Sequence, residues 1–490
     1  MSGSAVVRSG PAVPLESVVA RLRPGRVVGD VSGIVVTSVT YDHRRVQPGA
    51  LHCCLPGEHV DGHEFASAAA RAGAVGLVCE RPLGGEAAKV VQLVVGPAGA
   101  RPAMALAACV LWNDPASSLT TVGVTGTNGK TTTTYFLRSV FEQHGWPTAV
   151  IGTLGGPRTT PEAPELQRAL AHARDSRRCA VALEVTSHAL VQHRTDGYCH
   201  DVAVFTNLSQ DHLDYHRSME DYFAAKAILF TPEHARQAVV NAEDPFGRRL
   251  LETAEIPVHP YSLAQAEELR VDLRESHFRL EDVPVTLRPG GEINVRNALA
   301  AAAAARVLGV SAATIAAGLS CAYSPSGRLE VVPNDLGATV VVDYAHTPAA
   351  LEEILRAARV ETESSGARVI VVFGCGGDRD RTKRPIMGSI ATQRADITVL
   401  TSDNPRSEDP SAIIDEIGSG CDPAAQVVVE VDRRRAIAKA LELAGAGDVL
   451  IVAGKGHESL QEIGDRSVAF NDRAVIAEEL ARMTLKGAGA

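Results

Sequence analysis

Residues 120–132 read TTVGVTGTNGKTT, and this stretch decides the class of fold. The first six residues are mostly β-branched, which predicts a buried strand. Residues 126–129 are a glycine-rich turn, and a helix is predicted from residue 131 to residue 144. A strand, a glycine-rich turn and a helix in this order are typical of a phosphate-binding unit in a parallel α/β sheet.

The turn has the chemistry of a triphosphate site. Its backbone N–H groups and the helix N-terminus would bind phosphate, Lys130 would reach the β- and γ-phosphates, and the Thr131 hydroxyl would bind magnesium. The spacing departs from the strict phosphate-loop pattern, because Val124 stands six positions before Lys130, where that pattern has glycine. An ordinary glycine-rich turn therefore remains the alternative.

Length and composition describe a multidomain protein without the basic charge that nucleic-acid binding needs. A chain of 490 residues predicts two to four domains, with three the natural number. The net charge of −10 argues against a nucleic-acid partner. The longest apolar runs are too short to span a membrane, so no membrane insertion is expected.

The cysteines predict a reducing compartment. The nine cysteines are an odd number without CxxC spacing, which favours reduced, mostly buried thiols. No basic and then apolar leader opens the chain, so we expect no signal peptide and a cytoplasmic location.

Breaks in the pattern predict three domains with α/β character throughout. The helix predicted over residues 100–112 is ended by Asn113, Asp114 and Pro115. A second break in the pattern lies at Pro325 and Gly327. After the second break, five strand-like runs alternate with helical segments, as in a doubly wound sheet. The predicted domains are residues 1–115, 116–325 and 326–490. The predicted strands are residues 75–79, 180–185, 202–206, 339–342, 369–373, 397–400, 427–430 and 449–453, and the other predicted helices are residues 65–72 and 294–308.

Lysine is scarce in this chain. There are seven lysines and 41 arginines, and four of the lysines lie in motifs: Lys130, Lys226, Lys383 and Lys455. A chain that otherwise uses arginine has kept lysine where a compact, titratable amine is useful.

Polar side chains that follow two central strands predict a metal site. Glu184 ends one apolar strand and His212 follows the next, so both should lie at the carboxyl edge of the sheet. Magnesium prefers oxygen ligands, which favours Glu184 as a ligand over a structural ion-pair partner. For His212 a structural hydrogen bond is the alternative. Lys226 could bind a cation only as a carbamate formed with carbon dioxide, and its residue type alone favours a solvated helix lysine.

Together these motifs resemble the Mur ligases, the ATP-dependent enzymes that form amide bonds in peptidoglycan synthesis. Within that family the chain most resembles the members that add diaminopimelate. The resemblance implies an N-terminal UDP-binding domain, a central ATPase domain with a phosphate loop and a C-terminal Rossmann-like domain. The supporting segments are residues 126–132, 159–162, 184–194, 206–226, 294–300, 343–346, 373–384, 403–406 and 454–458.

The resemblance also implies roles for residues of the central site. Lys226 would be carbamylated and hold one of two magnesium ions, whose ligands would be Thr131, Glu184, His212 and Lys226. Lys130, Lys226 and His212 would be the catalytic residues. The residues that would hold ATP are Gly126, Thr127, Asn128, Gly129, Lys130, Thr131, Thr132, Asn297, Arg328 and Asp343.

A further set is implied to bind the UDP-muramoyl dipeptide. Three positions in this region depart from the family pattern: His43 stands in place of a serine, Arg158 replaces an asparagine and Thr186 replaces a serine. The central domain also looks abbreviated between residues 267 and 294. The implied contacts are Asp42, His43, Glu58, His59, Val60, Thr159, Thr160, Thr186, Gln192 and Arg194.

The tetrapeptide DNPR at residues 403–406 resembles the recognition motif of the diaminopimelate-adding enzymes. Arg406 offers a planar fork that can pair with the second carboxylate of meso-diaminopimelate, whereas lysine would bring an ammonium group to the same place. A simple type I turn at residues 403–406 is the alternative, as is a glycine-rich turn at residues 454–458. The implied diaminopimelate contacts are Arg379, Asp403, Asn404, Pro405, Arg406, Gly454 and Glu458, and Glu458 would pair with an ammonium group.

The expected reaction is ATP-dependent amide-bond formation through an acyl phosphate, carried out by a monomer. Two rivals remain: another ligase of the same superfamily, of the lysine-adding or folylpolyglutamate type, and a nucleotide-binding protein that has lost catalysis. The second rival should have lost its lysine and metal positions, yet Lys130, Thr131, Glu184, His212 and Lys226 are all present.

Overall fold

The computed structural model describes residues 12–57, 60–96, 99–363 and 365–488. Three α/β sheets follow one another along this part of the chain, each packed against helices. Glu58 and His59, two of the predicted nucleotide contacts, lie outside the described residues.

The first sheet has strand order β2-β7-β6-β5-β4, with β2 antiparallel and the other strands parallel. β1 and β3 form a separate antiparallel pair. Helices α1 and α3 pack together over the core of this unit. The elements are β1 (Val13–Pro14), α1 (Leu15–Leu22), β2 (Arg26–Val28), β3 (Val35–Val36), β4 (Ser38–Thr40), β5 (Ala50–Cys53), α2 (Ala66–Arg71), β6 (Ala74–Cys79), β7 (Val91–Val94) and α3 (Ala100–Leu111).

The second sheet is wholly parallel, with strand order β13-β12-β11-β8-β10-β9. Helices α4 and α9 pack on one face, where Val122, Phe136 and Leu299 lie in the core. The elements are β8 (Thr120–Thr125), α4 (Lys130–Gln143), β9 (Thr148–Ile151), α5 (Ala163–Asp175), β10 (Ala180–Glu184), α6 (Ser187–Val191), β11 (Val202–Phe205), α7 (Met219–Ala227), β12 (Ala238–Asn241), α8 (Pro245–Thr253), β13 (Val258–Tyr261), β14 (Glu267–Val271), β15 (Ser276–Leu280), β16 (Val283–Leu287), α9 (Glu292–Val307) and α10 (Ala312–Ser320).

The third sheet has order β17-β18-β22-β19-β20-β21, with β17 antiparallel and the other strands parallel. A separate hairpin joins β23 to β24. The elements are β17 (Glu330–Val332), β18 (Thr339–Asp343), α11 (Pro348–Glu363), β19 (Val369–Phe373), α12 (Lys383–Arg394), β20 (Ile397–Leu400), α13 (Pro410–Gly418), β21 (Gln426–Val429), α14 (Arg433–Leu443), β22 (Val449–Ala453), β23 (Leu460–Ile463), β24 (Arg466–Ala469) and α15 (Asp472–Ala488).

The structure confirms the α/β class and each predicted strand and helix to within one or two residues. It adds what the pattern did not predict. Within the segment read as abbreviated, residues 267–294, strands β14, β15 and β16 form an antiparallel sheet. β17 and the β23–β24 hairpin are also antiparallel. These strands lie outside the regular alternation of strand and helix that guided the prediction.

The structure also shows the burial of the cysteines and the length of the apolar helices. Of the nine free cysteines, five are buried, two are half-buried, and Cys179 and Cys321 are exposed. Within the described ranges, no helix is both long and apolar enough to cross a bilayer.

Candidate active site

A cavity of about 210 Å³ lies where the carboxyl ends of the second sheet face the start of the third unit. It gathers side chains from well-separated parts of the chain, because parallel strands end at one edge. The predicted residues that line it are Thr127, Asn128, Gly129, Lys130, Thr131, Thr132, Thr159, Glu184, Thr186, His212, Asn297, Arg328 and Asp343.

The glycines of the turn are required by close packing. Gly126 has φ 149°, and a Cβ built there would lie 1.9 Å from Oγ1 of Thr206. Gly129 has φ 86°, and its Cβ would lie 2.3 Å from Oδ1 of Asn297. A side chain at either position would therefore displace the residues that hold the turn against β11 and α9.

Lys130 begins α4 and folds back over the turn. Its Nζ donates to the carbonyl oxygens of Gly126 and Thr127 at 2.8 and 2.9 Å. Desolvation lowers the pKa of this amine, although the charge of Glu184 acts in the opposite direction. The amine is thus kept on the concave side of the loop, where phosphate would bind.

Thr131 and Glu184 form the oxygen-rich part of the cavity. The Thr131 hydroxyl donates to Oε2 of Glu184 at 2.9 Å. Thr153 donates to both carboxylate oxygens, from its N–H at 2.9 Å and from its hydroxyl at 3.0 Å. Glu184 is buried at the end of β10, so its charge depends on these donors or on a cation.

Lys226 on α7 is buried, with 1% of its surface exposed. Its Nζ donates to the carbonyl oxygen of Gly126 at 2.9 Å and lies 4.6 Å from the centre of the Tyr222 ring. Burial and the charge of Lys130 lower the pKa of Lys226 well below its usual value. The interpretation of Lys226 as a solvated helix lysine is therefore wrong, because α7 packs this face against the phosphate loop.

His212 is accompanied by an acid that sequence analysis missed. Asp211 is buried, with Oδ2 at 3.6 Å from Nε2 of His212 and 3.8 Å from Nε2 of His346. Nζ of Lys383 is 3.9 Å from Oδ1 of Asp211. Burial alone would raise the pKa of Asp211, but these neighbours lower it to about 2. The sequence signal was present, since Asp211 adjoins His212 and Lys383 is one of the scarce lysines.

A second cavity of about 300 Å³ adjoins the phosphate loop and shares Asn128 and Asn297 with the first. Asn207 fixes the loop from this side, because its carbonyl accepts from the N–H of Thr127 at 2.9 Å and its Oδ1 accepts from the N–H of Asn128 at 3.1 Å. Asn207 was also missed, although it follows β11. Further polar groups of this cavity are Asn241, Glu243, Asp244 and Arg296.

The predicted dipeptide contacts of the second unit meet beside Glu184. Oγ1 of Thr160 donates to the Glu184 carbonyl at 2.8 Å and accepts from the N–H of Thr186 at 3.1 Å. Arg194 donates to the Thr160 carbonyl at 2.8 Å and to Oε1 of Gln192 at 2.6 Å. Thr159 joins the same group through the hydroxyl of Thr153, at 3.1 Å.

Asp42 and His43 follow β4 in the first unit. The Asp42 carboxylate accepts from Nε and Nη2 of Arg44, both at 2.9 Å, and the ring of His43 stacks on Phe65 with centroids 4.2 Å apart. The hydrogen bond to Arg44 lowers the pKa of Asp42 to about 2. Val60 is half-exposed.

The predicted diaminopimelate residues lie together at the carboxyl ends of β20 and β22. A Cβ at Gly454 would lie 2.5 Å from Oδ2 of Asp403, so the two segments touch. Nη1 of Arg406 donates to the Gly377 carbonyl at 2.7 Å, which brings Arg406 beside the loop that carries Arg379. Pro405 joins Asn404 to Arg406 along the chain. The interpretation of residues 403–406 as an isolated turn does not describe this arrangement.

Glu458 already has protein partners. Its Oε2 accepts from Nζ of Lys455 at 2.9 Å and from Nδ2 of Asn404 at 2.8 Å. Lys455 is fully buried and also donates to Oδ1 of Asn404 at 2.9 Å. Lys455, which had no predicted role beyond its scarcity, therefore holds two predicted substrate contacts in place.

The cavity fits magnesium better than a metal with its own protein cage. Across the described ranges, no three His, Cys, Asp or Glu side chains are grouped as a metal site. Magnesium keeps several water ligands and is held by one or two carboxylates together with substrate phosphates. Thr131 and Glu184 could supply hard oxygen ligands, and the ion would offset phosphate charge.

Comparisons with known proteins agree with this geometry. Family models match in order along the chain: "Mur ligase family, catalytic domain" over residues 35–107, "Mur ligase middle domain" over residues 124–305, and "Mur ligase, glutamate ligase domain" over residues 327–456. The chain belongs to the Mur ligase family and is an ATP-dependent ligase.

Curated relatives match over nearly the full length. A UDP-N-acetylmuramoyl-L-alanyl-D-glutamate–2,6-diaminopimelate ligase from Syntrophomonas wolfei is 42% identical over 491 residues, covering 95% of this chain and 98% of its own. The protein of the same name from Gloeobacter violaceus is 42% identical, covering 97% and 100%. A solved structure of a ligase of that name is 32% identical with a TM-score of 0.63, covering 92% and 95%.

Proposed function

We propose that this ligase joins meso-diaminopimelate to the glutamyl carboxylate of UDP-N-acetylmuramoyl-L-alanyl-D-glutamate, using ATP, in peptidoglycan synthesis. The proposal is supported most by the meeting of two sets of residues at Glu184: the phosphate loop through Thr131 and the threonine group through Thr153 and Thr160. A triphosphate on one set and a peptide carboxylate on the other would lie side by side.

Placement and charge neutralisation are the main tasks of such a site. A carboxylate is a poor acyl donor, so its oxygen attacks the γ-phosphorus, ADP leaves, and an acyl phosphate forms. The amine of diaminopimelate then attacks the acyl carbon, and phosphate leaves as the amide bond forms. Lys130 would offset phosphate charge, and the nucleoside would occupy the cavity lined by Asn207 and Asn297.

We further propose that Lys226 works as a carbamate. The lone pair of a neutral amine adds to the carbon of carbon dioxide, and the loss of one proton leaves an anion with two oxygen ligands. Burial and the hydrogen bond to the Gly126 carbonyl place Nζ beside the phosphate loop, where an anion could face a cation. His212 and Glu184 would complete the set of ligands.

The remaining assignments follow from the same proposal. The three units would correspond to domains at residues 1–115, 116–325 and 326–490, with the uridine nucleotide near Asp42 and His43 and the amino acid near Arg379, Asp403, Arg406 and Glu458. We also propose that the protein is a monomer and acts in the cytoplasm, as its sequence predicts.

A coupling assay tests the substrate assignment. With the UDP-linked dipeptide, ATP and Mg²⁺, diaminopimelate should support phosphate release and a product of the expected mass, whereas lysine should be at least about 100-fold poorer in kcat/KM. Equal use of lysine would contradict the amino-acid assignment, and phosphate release with neither amino acid coupled would contradict the ligase reaction.

A further inference from the structure

Arg406 is held by the β23–β24 hairpin, which has no role in the proposed reaction. Nε of Arg406 donates to Oε2 of Glu462 at 2.8 Å, and its backbone N–H donates to the Glu462 carbonyl at 3.1 Å. The N–H of Gly464 donates to the Arg406 carbonyl at 2.7 Å. Arg406 has φ 50°, a conformation that residues other than glycine seldom adopt, so these bonds stabilise a rare backbone geometry.

The same hairpin also holds the neighbouring residues of the tetrapeptide. Nε2 of Gln461 donates to the Asp403 carbonyl at 2.7 Å, and the N–H of Glu462 donates to Oδ1 of Asn404 at 3.0 Å. Two consecutive hairpin residues therefore contact three of the four predicted recognition residues. The hairpin acts as a clamp on the tetrapeptide.

The contacts of Arg406 determine which edge of its guanidinium is available. Arginine has five N–H donors in a planar fork. Nε is directed at Glu462, and one N–H of Nη1 is directed at the Gly377 carbonyl. Three N–H donors remain, two on Nη2 and one on Nη1. The Nη1–Nη2 edge can pair with a carboxylate through two parallel bonds.

We propose that Glu462 is a positioning residue that determines specificity for the amino-acid substrate. By holding Nε of Arg406, it presents the Nη1–Nη2 edge to the second carboxylate of diaminopimelate. With a lysine substrate, the same contact keeps the guanidinium from turning away from the incoming ammonium group. This inference rests on the proposed function, because Arg406 must be the group that meets the second carboxylate.

Glu462 can be replaced without disturbing the packing of the core. Its side chain is 48% exposed, so replacement leaves no buried cavity. Ser467 on β24 is its register partner across the hairpin and is exposed, which makes Ser467→Ala the matched control for a change in the hairpin itself.

Steady-state kinetics of the full-length enzyme test the proposal. Glu462→Ala should raise the KM for diaminopimelate about fivefold, because binding must then order a free arginine side chain, while kcat and the KM for ATP stay unchanged. The preference for diaminopimelate over lysine in kcat/KM should fall by about the same factor. Glu462→Gln should stay within about twofold of wild type, since its amide oxygen still accepts from Nε. Ser467→Ala should have no effect.

A double-mutant cycle with Arg406→Lys separates positioning from a general structural effect. Glu462→Ala should add little once Arg406 is replaced, because the two residues act as one unit. The proposal is overturned if the two effects are additive, if Glu462→Ala leaves the KM for diaminopimelate unchanged, or if it lowers kcat and thermal stability together. Failure of the wild type to couple diaminopimelate would instead overturn the proposed function.

Discussion

Two lysine amines donate to one carbonyl oxygen at the centre of the site. Lys130 and Lys226 both donate to the Gly126 oxygen, at 2.8 and 2.9 Å. Burial disfavours the charged form of Lys226 and the neighbouring charge of Lys130 adds to this effect, so the pKa of Lys226 is lowered and its neutral form is favoured. A neutral lysine amine can add carbon dioxide, whereas an arginine guanidinium stays charged and cannot.

Lys226→Arg should therefore lower kcat by roughly 100-fold or more, because an electrostatic contribution to the transition state is lost. Lys439→Arg, at an exposed lysine paired with Glu430, is the control and should be unaffected. Circular dichroism and the melting temperature should show that both variants are folded. Normal turnover by Lys226→Arg would refute the carbamate.

Residue type alone predicted the wrong environment for Lys226 and a correct one for Glu184. An acid at the end of an apolar strand is informative because parallel strands end at one edge. A helix lysine carries no such signal, since its exposure depends on which face of α7 packs against the phosphate loop. Asp211 and Lys383 were adjacent to recognised motifs, but their proximity depends on two separate sheets.

At the scale of elements, the turn that follows β22 depends on its first glycine. Gly454 has φ 109°, and its α-carbon faces the Asp403 carboxylate, whose pKa is raised by burial. A methyl group there would both strain the backbone and push Asp403 out of position.

Gly454→Ala should thus raise the KM for diaminopimelate at least about tenfold, with a smaller effect on the KM for ATP. Gly309→Ala is a matched control, because Gly309 has φ 86° and nothing lies within 4 Å of its built Cβ. That variant should lose some thermal stability through backbone strain and keep its KM values. Equal kinetic changes in both variants would contradict the role assigned to the contact with Asp403.

The sequence pattern predicted some strands better than others. Buried parallel strands such as Val369–Phe373 are continuous apolar runs between helices, and the structure has them at the predicted residues. The antiparallel strands β14, β15 and β16 were not predicted, because Phe278, Leu280 and Val285 become core residues only when α9 and α10 cover them. Each strand pairs with the next one along the chain, so the pairing is local, but the burial of its apolar face depends on these helices.

At the scale of the whole molecule, the cavity beside the phosphate loop is formed by two units of the chain. Nη2 of Arg328 donates to Oγ1 of Thr131 at 3.4 Å, and Nε2 of Gln210 donates to Oγ1 of Thr382 at 3.0 Å. The first bond links Thr131 of the phosphate loop to the segment before β17, and the second links the segment after β11 to the loop before α12. Movement of the third unit would alter the surroundings of the phosphate loop directly.

Six histidines, of which His52 and His200 are buried and the other four are partly exposed, should make the whole molecule sensitive to acid. Burial lowers the pKa of His200 to about 3 and that of His52, His188, His212, His346 and His457 to about 4. In the unfolded chain these groups take up protons near pH 6.5, so the unfolded state binds more protons below that pH. The free energy of unfolding should be fully present above pH 6.5 and fall as the pH drops towards 4.

Denaturant titrations between pH 7.5 and 5 measure how steeply the free energy of unfolding changes with pH. This slope gives the difference in bound protons between the unfolded and the folded state. His200→Leu should reduce it by about one proton, because His200 lies outside the active site and both of its ring nitrogens lack partners. The same change at the exposed His172 should leave the slope as in wild type. A pH-independent wild type would contradict the assignment of neutral buried histidines.

The sequence by itself determined the α/β class, the phosphate loop and the edge of the sheet at which Glu184 lies, because periodicity and glycine spacing are local properties of the chain. It did not determine the burial of Lys226, the contact of Asp211 with Lys383, or the clamp of Glu462 on Arg406. Those contacts join residues up to 172 positions apart. Tertiary packing brings their side chains within bonding distance, between two units for Asp211 and Lys383 and within one unit for Lys226 and for Glu462. Local pattern decides which elements form, and tertiary packing decides which of their polar groups meet.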